Sequence, residues 1–112
     1  MAVTAYLDID QGSDFTAEFT LENDDGTSMN LAGFSVYSQF RKSYGSTTSY
    51  TFTSHVVNGA GGVISISFSG DQSSSVRPGR YLYDVEIRDY SGNKIRVIEG
   101  ILTINPEITR IP

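Results

Sequence analysis

The sequence predicts an all-β fold: a single antiparallel sandwich of about seven strands. Three observations predict it. Apolar residues recur with a period of two almost everywhere, and with a helical period almost nowhere. Turn signals built from Gly, Asn, Asp and Ser separate the alternating runs at short intervals. The 112 residues fit one domain, and 11 glycines against 3 prolines fit a turn-rich one. A small barrel is the competing architecture.

The elements follow in order. Residues 4–9 (TAYLDI) make a short first strand. Residues 14–22 (DFTAEFTLE) set Phe15, Ala17, Phe19 and Leu21 on one face and Thr16, Glu18, Thr20 and Glu22 on the other. Asn23-Asp-Asp-Gly26 is a turn, because Asp-Gly tolerates positive φ. The strand at 34–42 turns Phe34, Val36, Ser38 and Phe40 inward and Tyr37, Gln39 and Arg41 outward. Polar residues 43–49 form a loop. Residues 50–57 alternate through Tyr50, Phe52, Ser54 and Val56. Asn58–Gly62 is the next turn, and residues 63–69 bring Ile64, Ile66 and Phe68 together. One helix is expected at Asp71-Gln-Ser-Ser-Ser-Val76, capped by Asp71 or a serine and limited to one or two turns by Pro78-Gly79. Strands at 80–89 and 94–104 close the chain, joined at Ser91-Gly-Asn93. The parity of the last strand changes between Ile95/Val97 and Leu102/Ile104, which predicts a bulge near Glu99-Gly100. The sandwich spans 1–105, and 106–112 is a short tail after Pro106.

The corner at 78–83 refines the class to immunoglobulin-like. Such domains place a tyrosine early in the penultimate strand, after a turn, with its hydroxyl bonded back to the preceding crossover. Gly79 and Tyr81 fit that pattern, and Tyr83 fits the inward position where antibody domains carry cysteine. With no cysteine in the chain, the core rests on Phe15, Phe19, Phe34, Phe40, Phe52, Phe68 and Tyr83. Outward from this strand, Asp84, Glu86 and Arg88 are placed to pair with Arg96 or Lys94.

Composition excludes several functions. Without cysteine there is no disulfide or thiolate metal site, which leans toward cytosolic synthesis. The start lacks a basic, apolar leader, and no apolar run reaches membrane-spanning length. Net charge is −5, so a dense basic footprint for nucleic acid is missing. The charge is unevenly laid out. Residues 1–40 hold seven acidic side chains and no Lys or Arg; the rest holds eight basic against six acidic. Opposite ends of two copies, or of a copy and a partner, could therefore attract.

No enzyme is expected. His55 is the single histidine and sits within a strand; no nucleophile elbow or phosphate loop accompanies it. Asp8, Asp10 and Asp14 offer oxygen ligands suited to Ca²⁺, at a spacing unlike the EF-hand loop, with solvated carboxylates as the simpler reading. No cofactor is implied. Partly exposed tyrosines, Tyr44 and Tyr50 foremost, are candidate surface or glycan contacts, since a tyrosine presents an apolar face and a polar tip.

Three segments carry a family resemblance: Gln11-Gly-Ser-Asp-Phe15; Asp25-Gly-Thr-Ser-Met-Asn-Leu-Ala-Gly33-Phe-Ser-Val36 leading to Gln39-Phe-Arg-Lys42; and Pro78-Gly-Arg-Tyr-Leu-Tyr-Asp84 through Asp89-Tyr-Ser-Gly-Asn-Lys94 to Glu99-Gly100 and Pro106-Glu107. In this order the chain resembles a family of small immunoglobulin-like modules of tailed-bacteriophage virions. These occur alone or at the amino terminus of baseplate, tail-fibre and receptor-binding proteins. The resemblance covers nearly the whole domain. It implies a non-catalytic virion component, an adaptor or decoration in the tail, baseplate or fibre-attachment region, made in the host cytoplasm. It further implies other virion proteins and copies of the same chain as partners, with no nucleic acid or membrane. Neck or capsid decoration, or a carbohydrate-binding role at a host surface, are the alternatives. The chain ends at Pro112 without a stalk or tip, which favours an adaptor. Ile108, Arg110, Ile111 and Pro112 are candidate assembly contacts along a neighbour.

Overall fold

The structure, a computed structural model, describes residues 3–108. The described residues form a two-sheet sandwich of nine strands and one short helix: β1 (Val3–Thr4), β2 (Leu7–Asp10), β3 (Phe15–Thr20), β4 (Ser35–Arg41), β5 (Tyr50–Thr51), β6 (Thr53–Asn58), β7 (Val63–Phe68), α1 (Gly70–Ser73), β8 (Gly79–Arg88) and β9 (Lys94–Asn105). The larger sheet runs β1-β9-β8-β4-β5, with β2 also on β9; the smaller runs β3-β7-β6. That strand order, with a Greek-key crossover between sheets, is the immunoglobulin-like arrangement.

Nine strands replace seven because two predicted strands are each divided. The first breaks at Ala5-Tyr6, although β1 and β2 keep one register on β9. The run at 50–57 breaks at Phe52, where the chain leaves the larger sheet: β5 pairs with β4, and β6 pairs with β7. Phe52 itself is buried between the sheets. A second departure concerns direction. The sandwich is antiparallel except that β1 and β2 run parallel to β9. Alternation reports which face a residue occupies, and it is silent on strand direction.

The expected bulge is present but sits earlier. Register shifts opposite Val85/Glu86, so Val97 is the extra residue of β9 rather than Glu99 or Gly100. Adjacent Val97 and Ile98 are both buried, as a bulge allows. Gly100 has a different task. A Cβ there would run into the carbonyl of Ala5, so glycine admits the edge strand where it lifts from the ladder.

Phe40 centres an aromatic cluster at one end of the core. Its ring stacks on Tyr50 at 4.9 Å and meets Phe52, Phe68 and Tyr81 at 5.2–5.4 Å. Beyond it, Ile64, Ile66, Val85, Ile87, Leu102 and Ile104 interdigitate from both sheets. The helix starts one residue before the expected Asp71 and is capped by Ser69, whose hydroxyl accepts from Gln72 N–H; Gln72 Oε1 accepts from Ser69 N–H in return. The Gln11–Asp14 turn clamps this helix. Gln11 Nε2 donates to Val76 O, Gly12 N–H donates to Ser73 Oγ, and Asp14 accepts from Gly70 N–H at 2.7 Å.

Candidate functional site

The outer face of the larger sheet is the most organised surface of the chain. β4 and β8 build it through simple alternation, and β9 joins it across the bulge at Val97. β4 buries Val36, Ser38 and Phe40 and presents Tyr37, Gln39 and Arg41. β8 buries Tyr81, Tyr83, Val85 and Ile87 and presents Leu82, Asp84, Glu86 and Arg88. β9 adds Arg96 and Glu99, and the break at Ala5-Tyr6 adds an exposed Tyr6. Together these residues line a shallow, open concavity of about 670 Å³, with Tyr44 at its rim.

Charges on this face are locally balanced and interlocked. Arg96 bridges Asp84 at 3.1 Å and Glu99 at 3.2 Å. Arg88 bonds Glu86 at 2.8 Å and lies over the Tyr37 ring, 4.1 Å from its centroid. Arg41 donates to Ser46 O and Gln39 Oε1. Burial holds the Asp84 carboxyl above the usual carboxylate range, against the opposing pull of Arg96. Exposed ion pairs contribute little stability each, so their value here is to fix side-chain positions. Tyrosine and arginine held in place, with both charge signs neutralised, suit contact with a protein surface.

The sequence offers Asp84, Glu86 and Arg88 as partners for Arg96 or Lys94, and the structure joins Asp84 to Arg96. It pairs Glu86 with Arg88 along one strand, and no ion pair among the described residues uses Lys94. The stacking of Arg88 on Tyr37 was missed, although both fall on outward positions of neighbouring strands. Tyr6 was missed as well, because a continuous first strand hides the break that turns it outward.

The corner residues lie on the opposite, inward side. Gly79 adopts φ +141°, a value that favours glycine, and opens β8. Tyr81 Oη donates to Arg77 O at 2.6 Å, and Lys42 Nζ sits 4.9 Å from the Tyr81 ring centroid. Tyr83 is buried in the core, and its hydroxyl donates to Ala5 O at 2.7 Å, tying β8 to the edge strand. Burial pushes the Tyr83 hydroxyl up to about 12, and raises Tyr81 as well, assisted by Tyr50.

Other predicted residues fall apart in space. Tyr44 is 81% exposed. Tyr50 is half-buried with its ring stacked on Phe40, so it serves the core and is withdrawn from the surface-contact set. Ile108 is 95% exposed; Arg110, Ile111 and Pro112 lie outside the described residues. Asp10 accepts from Asn105 Nδ2 and Asp14 from Gly70 N–H, and no metal-holding group of three acidic, His or Cys side chains forms among the described residues. His55 faces Ser65 across the β6–β7 ladder, with Ser65 Oγ 3.1 Å from Nε2. No carboxylate hydrogen-bonds that ring among the described residues. No helix among them is long and apolar enough to cross a membrane.

No family model matches the sequence, and no curated protein matches it. Among solved structures, an internalin-like protein of Listeria monocytogenes is similar over 95% of this chain at 12% identity, with a TM-score of 0.44. The chain corresponds to 28% of that protein's length.

Proposed function

We propose that the chain is a non-catalytic structural component of a tailed-phage virion, an adaptor or decoration subunit in the tail, baseplate or fibre-attachment region. The observation that carries this reading is the ordered run of three segments, Gln11–Phe15, Asp25–Val36 and Pro78–Asp84, along nearly the whole domain. Geometry supports an assembly role through the outer face of the larger sheet. That face is broad, shallow and set with tyrosine and fixed arginine, as protein contacts are. Its partners in this reading are other virion proteins and further copies of the chain. Immunogold labelling of purified particles with antibody to the chain tests it. Label at the tail, baseplate or fibre root is expected. Label at the neck or capsid moves the subunit to the alternative decoration role, and unlabelled particles overturn the proposal.

A second reading, carbohydrate binding at a host surface, is favoured by Tyr6 and Tyr44 at the rim of the concavity. The Arg88 guanidinium already occupies one face of Tyr37, which removes the central ring as a sugar platform. A glycan array on which binding appears and is lost in Tyr44→Ala would establish this reading; a blank array removes it.

A further inference from the structure

The smaller sheet has an edge to which no further strand among the described residues is added. Its order leaves β3 outermost, because β1 and β2, which precede it in the chain, pair with β9 in the other sheet. In an antiparallel ladder the main-chain groups point alternately to either side. Those of β3 that point away from β7 have no ladder partner. The side chains carry the same mark. Phe15, Ala17 and Phe19 pack against the core yet stay only half-buried, whereas Ile64 and Ile66 on the adjoining β7 are 0% exposed.

Open edges are ordinarily blunted by shortness, bulges, proline or lysine, because they template unwanted pairing. The remaining edges are shorter or broken. β1, β2 and β5 have two, four and two residues, and β6 is bulged between Val56 and Asn58. β3 keeps six residues in unbroken register with β7, and FTAEFT contains neither proline nor lysine.

Charge narrows the occupant. The outward row of β3 is Thr16, Glu18 and Thr20, with Glu22 just beyond it. Glu18 stands opposite Ser65, and no ion pair among the described residues involves Glu18 or Glu22. A second copy adding its own β3 would bring an equally acidic row with no Lys or Arg, since residues 1–40 contain none. We propose that β3 is the acceptor for an extended segment of a partner protein, apolar at alternate positions and Lys/Arg at the others. The apolar side chains complete the cover over Phe15 and Phe19, the cations face Glu18 and Glu22, and the backbone extends the ladder. This acceptor role is independent of virion membership.

The test titrates the isotopically labelled chain with acetyl-Val-Lys-Val-Lys-Val-Lys-Val-amide, using the glutamate-for-lysine peptide as control. Expected are amide shifts and slowed hydrogen exchange centred on residues 15–20 with the lysine peptide, and none with the control. Glu18→Lys, an exposed change whose folding the same spectra report, should weaken the lysine peptide about fivefold to tenfold and admit the glutamate peptide. Absence of exchange protection in β3 at millimolar peptide overturns the proposal, as does protection mapped elsewhere or an affinity indifferent to Glu18→Lys. Dimerisation of the free chain through β3 in sedimentation would also overturn it, by making a second copy the occupant.

Discussion

Gly100 and Tyr83 act on one atom, the carbonyl oxygen of Ala5. Tyr83 Oη donates to it at 2.7 Å, and it occupies the space a Cβ on Gly100 would need. Tyr83→Phe removes the donor from a partly buried acceptor and should cost about 1–2 kcal/mol. Gly100→Ala drives backbone apart at a packed position and should cost about 1–3 kcal/mol, despite the better strand propensity of alanine. The two losses should not add. Once alanine displaces the Ala5 carbonyl, the Tyr83 hydroxyl has already lost its acceptor, so the double variant should be about 1 kcal/mol less destabilised than the sum. Urea unfolding of the four proteins measures this as shifts in midpoint at constant slope. Additivity within about 0.3–0.5 kcal/mol, or a stabilising Gly100→Ala, would refute the shared-carbonyl account.

Other expectations follow from the corner and turns. Tyr81→Phe should cost about 1 kcal/mol, near 4 °C in Tm, because the Arg77 carbonyl it releases lies on an exposed residue that water can satisfy. Tyr83 and Tyr81 have raised pKa values, so the native chain keeps protons that the unfolded chain gives up above pH 10; stability should fall from pH 10 toward 12. Ultraviolet difference titration against Tyr83→Phe should then show the Tyr83 phenol ionising well above pH 10, whereas its ionisation at the ordinary tyrosine pH would contradict its burial. Asp89 accepts from Asn93 N–H and Asn93 Nδ2, and more weakly from Ser91 N–H, which hold its carboxyl below the usual range. Asp89→Ala should lower stability at neutral pH and remove part of the loss seen as pH falls through the carboxylate range; an unchanged acid limb would count against that turn lock.

Much of this fold is legible in the chain because alternation assigns faces. Phe40, Ile64, Ile66 and Phe68 are placed in the core by parity alone, and the structure buries all four. Parity also explains the errors. It carries no strand direction, so the parallel pairing of β1 and β2 with β9 was hidden. A glycine in a strand has two readings, bulge or close backbone approach; Gly100 takes the second, and the bulge falls on Val97, where two apolar neighbours in sequence are both buried. Tyr50 shares parity with Phe52 and belongs to the core by the same rule that placed Phe40. The interlocked face over β4, β8 and β9 was legible as outward positions but not as contacts. Arg88 stands opposite Lys94 on β9 and also lies over Tyr37 on β4; the second contact needs β4 beside β8, a sheet order that parity does not state.

The central claim is membership of a phage particle, and quantitative mass spectrometry of gradient-purified virions tests it most directly. The account predicts peptides of this chain at a constant molar ratio to the major capsid protein across the particle peak. Absence of the chain from particles in which minor structural proteins are readily detected would contradict it.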